Sequence, residues 1–152
     1  MRLTAAALLP RARVLLVTIW AGSIWTLGYL VAPVLFATLS DRVLAGTIAG
    51  SMFRVGAYVS LACALLLLAL LWLDRSFEQR RNALYIAAAM LACVLIGYFG
   101  LQPIMAALKE SAALTGGVMD EAARARFGLL HGAASLIYLV QSVLAVALVM
   151  KR

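Results

Sequence analysis

His131, Ser135, Tyr138 and Ser142 are separated by four, three and four residues within "RFGLLHGAASLIYLVQS" (residues 126–142), so a helix would align them on one face. The chemistry open to such a stripe is narrow. A lone imidazole can give one ligand to a metal ion or to haem iron, and hydroxyls on a helix face can bond to neighbouring helices. Met52 and Met105 would add soft thioethers that suit reduced copper beside His131. Arg54 opposes a metal ion and would pair with haem propionates, a lipid phosphate or another anion. The structural alternative is equally concrete: hydroxyls that join helices, and His131 and Arg54 reaching headgroups or water at the interface. The chain has no HExxH, no CxxC, no glycine-rich phosphate loop and no Ser/His/Asp arrangement, so a non-enzymatic protein is expected and the cofactor is left open.

The elements that would carry these residues follow from where charge is absent. Val14–Ser40, Val55–Leu73, Asn82–Leu108 and Phe127–Met150 hold no Asp, Glu, Lys or Arg, and each is long enough to cross a bilayer. With 66% hydrophobic residues and a mean hydropathy of +1.04, the chain lies outside the range of soluble domains. The expected fold is an all-α, integral membrane four-helix bundle in a single transmembrane domain over 1–152, with spans at about 14–38, 54–73, 82–105 and 127–150. The first apolar run is too long for a cleavable signal and is expected to be kept as a helix. Short interfacial helices are expected before helices 2 and 4, the first of them, Val43–Phe53, having extension of helix 2 as its alternative; a kink is expected at Pro33 and a break at Gly116–Gly117. Cys63 and Cys93 fall inside apolar intervals and read as small buried thiols, with a metal or redox pair as the alternative.

"GYLVAPVLFATL" (residues 28–39) resembles "GYFGLQPIMAAL" (residues 97–108) apart from one inserted residue, and "RVG" at 54–56 echoes "RFG" at 126–128. Two repeated αα-hairpins would produce this pattern, as would chance among apolar helices drawn from few residue types.

Placing the N-terminus in the cytoplasm puts Arg2, Arg11, Arg13, Arg75, Arg80, Arg81, Lys151 and Arg152 there, with Asp74 and Glu78. Arg42, Arg54, Lys109, Arg124 and Arg126 lie outside with Asp41, Glu110, Asp120 and Glu121, giving net +6 against +1. That bias predicts a multi-pass protein of the inner membrane with both termini cytoplasmic. The net charge of +7 is therefore read as topology, and no nucleic-acid partner is expected. The partners expected are the lipid bilayer and a homo-oligomer or larger membrane complex, since four short helices alone rarely enclose a pathway.

Counted along the spans, the unusual residues share one depth near the outer face: Tyr29 and Pro33, Arg54 and Tyr58, Gln102 and Pro103, and His131. Tyr29, Arg54, Gln102, His131 and Tyr138 are the expected ligand-binding residues, with His131, Met105 and Met52 as the expected metal ligands. No span holds a carboxylate, which argues against a proton-coupled transporter. Two roles follow: a small-ligand or metal-related (copper or haem) binding or transport component, or an accessory subunit that recognises another membrane protein through its helices.

"GSIWTLGYLVAPVLFATLSDRVLAG" (residues 22–46), Gln102–Pro103 followed by Met105, and "FGLLHGAASLIYL" (residues 127–139) resemble the bacterial domain of unknown function 4149, related to the transmembrane protein 205-like family. The resemblance covers essentially the whole chain and implies a small four-span membrane protein. It also hints at metal handling, through eukaryotic relatives associated with platinum-drug resistance and a shape similar to copper-resistance membrane domains.

Overall fold

The computed structural model describes residues 5–114 and 118–151, with side chains from residue 8 onward. Its helices are long and apolar enough to cross a membrane four times. We label them α1 (Ala5–Trp25, π-helical Thr26–Val31 and Ala32–Thr38), α2 (Arg42–Leu73), α3 (Arg80–Val94, π-helical Leu95–Leu101 and Gln102–Leu114) and α4 (Glu121–Met150). At about 1.5 Å per residue, the 32 residues of α2 reach about 48 Å, well beyond a hydrocarbon core of about 30 Å.

Of the two readings for residues 43–53, extension of helix 2 holds and a separate interfacial helix does not, and the short helix expected before helix 4 is likewise the first turns of α4. Asp41 caps α2 by accepting the amides of Val43 (2.8 Å) and Leu44 (3.1 Å), and Asp120 caps α4 by accepting that of Ala123 (2.6 Å). No proline follows either cap, so nothing stops the helix before it enters the apolar stretch. Likewise α3 runs past Pro103 to Leu114, because "IMAALKESAAL" is rich in strong helix formers. The Gly116–Gly117 break expected from the sequence lies outside the described residues.

Each helix packs against two neighbours, α1 on α2, α2 on α3, α3 on α4 and α4 back on α1, in an up-down-up-down ring. The core occupies the half nearest the termini. Trp20, Leu67, Leu71 and Met90 are fully enclosed there, and Ala21, Ala64, Ala87 and Ala145 let the backbones close around them. Outward faces are equally apolar, with Leu15, Leu66 and Val143 each more than half exposed, as suits helices whose solvent is lipid. Beyond the core the bundle divides. The end of α1 stays on α2 and the end of α3 on α4, while no extensive packing joins the two hairpins there.

A polar clamp closes the termini side. Arg13 on α1 pairs with Asp74 after α2 at 3.1 Å and lies 3.6 Å above the Phe77 ring. Arg80 covers the Leu71 carbonyl at the end of α2. The Asp74 carboxyl is held below the usual carboxylate range, chiefly by the Ser76 hydroxyl at 2.6 Å and also by Arg13, against the opposing effect of partial burial. A lowered folded-state pKa means that this contribution is complete above the unfolded carboxylate value and is lost as pH falls through the folded one. The melting temperature in neutral detergent is therefore expected to drop as pH falls below about 4. Asp74→Asn should lower it already at pH 7 and lose that part of the acid dependence; an unchanged melting temperature at pH 7 would remove the clamp from this account.

Candidate functional site

Pro33 and Pro103 dictate the local structure around the expected site. A proline lacks an amide and its ring crowds the carbonyl four residues back, which in lipid leaves a polar group without a partner. Both helices meet the problem with a π-helical turn that ends two residues before the proline. In α1 the Ala32 amide reaches the Leu27 carbonyl, five residues back, and the kink expected at Pro33 takes this form. Both turns contain the Gly-Tyr pairs noted in the repeat, Gly28–Tyr29 and Gly97–Tyr98, so the similarity of the two segments is structural as well as sequential.

Tyr138 of α4 enters the first of these turns. Its hydroxyl donates to the Ile24 carbonyl at 2.6 Å, and its ring lies so close to Gly28 that a Cβ there would strike Cε1. Phe53 of α2 meets the same ring edge-on at 5.4 Å. Below it, the Trp25 indole donates to the Ser142 carbonyl at 3.4 Å. The lower half of the stripe thus joins α4 to α1. The upper half does not: the Ser135 hydroxyl returns to the His131 carbonyl at 2.8 Å, and the exposed His131 ring stacks on Phe127, itself under the Lys109 ammonium. The stripe divides where the hairpins part.

Counted at about 1.5 Å per residue from Arg13, Leu73, Arg80 and Met150, Pro33, Arg54, Gln102 and His131 lie about 30, 28, 33 and 28 Å along their helices. These residues nevertheless point apart. Tyr29, Arg54 and His131 are exposed, Gln102 is half-buried, and Tyr138 faces inward. Arg54 makes no ion pair among the described residues. Of the expected metal ligands, Met105 is buried on α3, Met52 faces a cleft between α1 and α2, and His131 stands with Phe127 beside α3. Cys63 is buried in the core and Cys93 half-buried, both as free thiols.

The cleft beside Met52 went unnoticed in the sequence. It is a side-facing hollow of about 710 Å³, lined on α1 by Gly22, Ser23, Thr26 and Leu27 and on α2 by the small or hydroxyl-bearing Thr47, Ser51 and Gly56 and the larger apolar Ile48, Met52, Val55 and Val59. Ser23, Thr47 and Ser51 donate to their own helices, to the carbonyls of Ile19 (2.7 Å), Val43 (2.9 Å) and Thr47 (3.1 Å), leaving their oxygens able to accept. A Cβ on Gly22 would meet nothing within 4 Å, whereas one on Gly56 would strike Leu27. The signal available was the four-residue spacing of Thr47, Ser51 and Val55. Gln141, buried within α4, was also passed over because it falls one residue off the stripe.

The Tyr138 contacts generate a double-substitution test. Tyr138→Phe, which strands the Ile24 carbonyl, should cost about 1 kcal/mol, and Gly28→Ala about 1–3 kcal/mol from the ring clash. Gly28→Ala should cost much less on a Tyr138→Leu background. Additive losses in equilibrium unfolding in detergent would mean that the ring does not press on Gly28.

No curated protein and no solved structure matches the chain. A family model described as a domain of unknown function, DUF4149, matches residues 15–114, which run from α1 to the end of α3. The chain belongs to the DUF4149 family.

Proposed function

We propose that this protein is a non-enzymatic membrane component that acts by holding a transmembrane helix of a partner protein in the cleft between α1 and α2. The shape and lining of that cleft carry the reading. A small-ligand site encloses most of its ligand's surface, while this hollow lies open along its side. Small and hydroxyl-bearing residues on a lipid-facing surface let another backbone approach closely and offer acceptors to it. A second copy related by two-fold symmetry would bring cleft against cleft, so a ridge on a different chain fits better.

The small-ligand or metal-related role draws on Tyr29, Arg54, Gln102, His131 and Tyr138, or on His131, Met105 and Met52, whose differing exposure and direction give it less support. Orientation follows from charge. Six described cations, Arg11, Arg13, Arg75, Arg80, Arg81 and Lys151, flank the termini side with only Asp74 and Glu78, which supports cytoplasmic termini in an inner membrane.

Gly22→Leu and Ser51→Leu would fill the cleft without pressing on the fold, because the first has open space and the second is exposed. Purified from native membranes in mild detergent, the wild type is expected to bring down one membrane partner, and each variant to recover about tenfold less of it at an unchanged melting temperature. Recovery of the wild-type chain alone, or as a self-association that both variants retain, would overturn the reading.

A further inference from the structure

We infer that α1 carries a binding site for an anionic phospholipid, with the lipid phosphate on Arg11 and an acyl chain along Val14, Leu15 and Thr18. These residues, together with Pro10, line a shallow hollow of about 410 Å³ on the outside of α1. The hollow is apolar along its length. The Thr18 hydroxyl is turned to the Val14 carbonyl at 2.9 Å, which leaves its methyl group for the hollow, and Leu15 is 60% exposed. Its only charge is at the end nearest the termini.

Depth matches the charge to a headgroup. Arg11 sits two residues before Arg13, whose pairing with Asp74 marks the limit of the apolar zone. Arg13 turns toward Phe77 and the core, whereas Arg11, two positions round the helix, is exposed and has no ion-pair partner among the described residues. Pro10 to Thr18 spans about 12 Å of helix, enough for the upper part of an acyl chain beneath a phosphate at Arg11.

The surrounding collar selects the sign. Arg75, Arg80, Arg81 and Lys151 add to Arg11 and Arg13 against only Asp74 and Glu78, so a lipid with net negative charge is attracted. A zwitterionic lipid brings its own cation into the same field and gains less.

Native mass spectrometry of the full chain in neutral detergent tests this with phosphatidylglycerol and phosphatidylcholine of equal chain length. Phosphatidylglycerol is expected to be retained about fivefold more, and Arg11→Gln to abolish that preference while Arg42→Gln, on the opposite side, leaves it intact. Val14→Trp, which fills the hollow at a surface position, should reduce retention without a change of charge. Equal retention of the two lipids, or an unaffected Arg11→Gln protein, overturns the proposal. Displacement of the lipid by millimolar inorganic phosphate would also overturn it, by assigning Arg11 to a soluble anion.

Discussion

In hydrocarbon a backbone amide or carbonyl has no water to turn to, and each one left unpaired costs several kcal/mol. The shape of this bundle follows from where that demand is hard to meet. Pro33 and Pro103 each remove a donor from a helix inside the apolar zone, and in both cases the chain widens to a π turn. Elsewhere the hydroxyls of Thr18, Ser23, Thr47, Ser51 and Ser135 fold back on carbonyls four residues earlier, which keeps polar side chains tolerable on faces that meet lipid. Tyr138 is the exception: its hydroxyl crosses between helices to the carbonyl of Ile24, next to the widened turn.

Packing then separates two regions of different character. Near the termini, alanines on all four helices allow close approach around Trp20, Leu67, Leu71 and Met90, and the Arg13–Asp74 pair holds α1 to the α2–α3 turn. Farther out, beyond the π turns, each hairpin packs mainly within itself. The contacts that still join the hairpins there are aromatic. Phe53 meets Tyr138, and Tyr58 meets Tyr98 and Phe99 at 6.3 and 6.1 Å. Rings reach farther than the side chains of the alanine-lined core, so they can bridge backbones that have already diverged.

What could be read from the sequence is what depends on one helix at a time. Charge is too costly in lipid to occur at random, so the four uncharged intervals located the helices, and counting along them brought Pro33, Arg54, Gln102 and His131 to one depth. Helix ends were less legible. Charge marks the edge of lipid and not the end of a helix, so α2 begins at Arg42, twelve residues ahead of Arg54, and α3 continues through Lys109 and Glu110. Least legible was which residues converge. The direction of a side chain depends on where neighbouring helices lie, and the divergence of the hairpins exposes His131 and Ser135 while Tyr138 and Ser142, on the same face, meet α1.

The repeat makes that last point sharper, because an exact two-fold arrangement would have paired Gly28 with α4 and Gly97 with α2. Both glycines face α4 instead: a Cβ at Gly28 would strike Tyr138, and one at Gly97 would touch Ile137 at 3.4 Å. The two helices with π turns therefore both close on α4, while the tyrosine of α2 that meets the second turn, Tyr58, reaches the rings of Tyr98 and Phe99 and not a glycine. Within the α1–α2 face Leu27 of α1 meets Gly56 of α2, and on either side of the contact the small residues Gly22, Ser23, Thr26, Thr47 and Ser51 leave the cleft open. A side chain as large as tyrosine at one of those positions on α2 would have filled the space. The asymmetry of two otherwise similar hairpins thus lies in where the large side chains fall, and the small residues at these positions leave the α1–α2 face open.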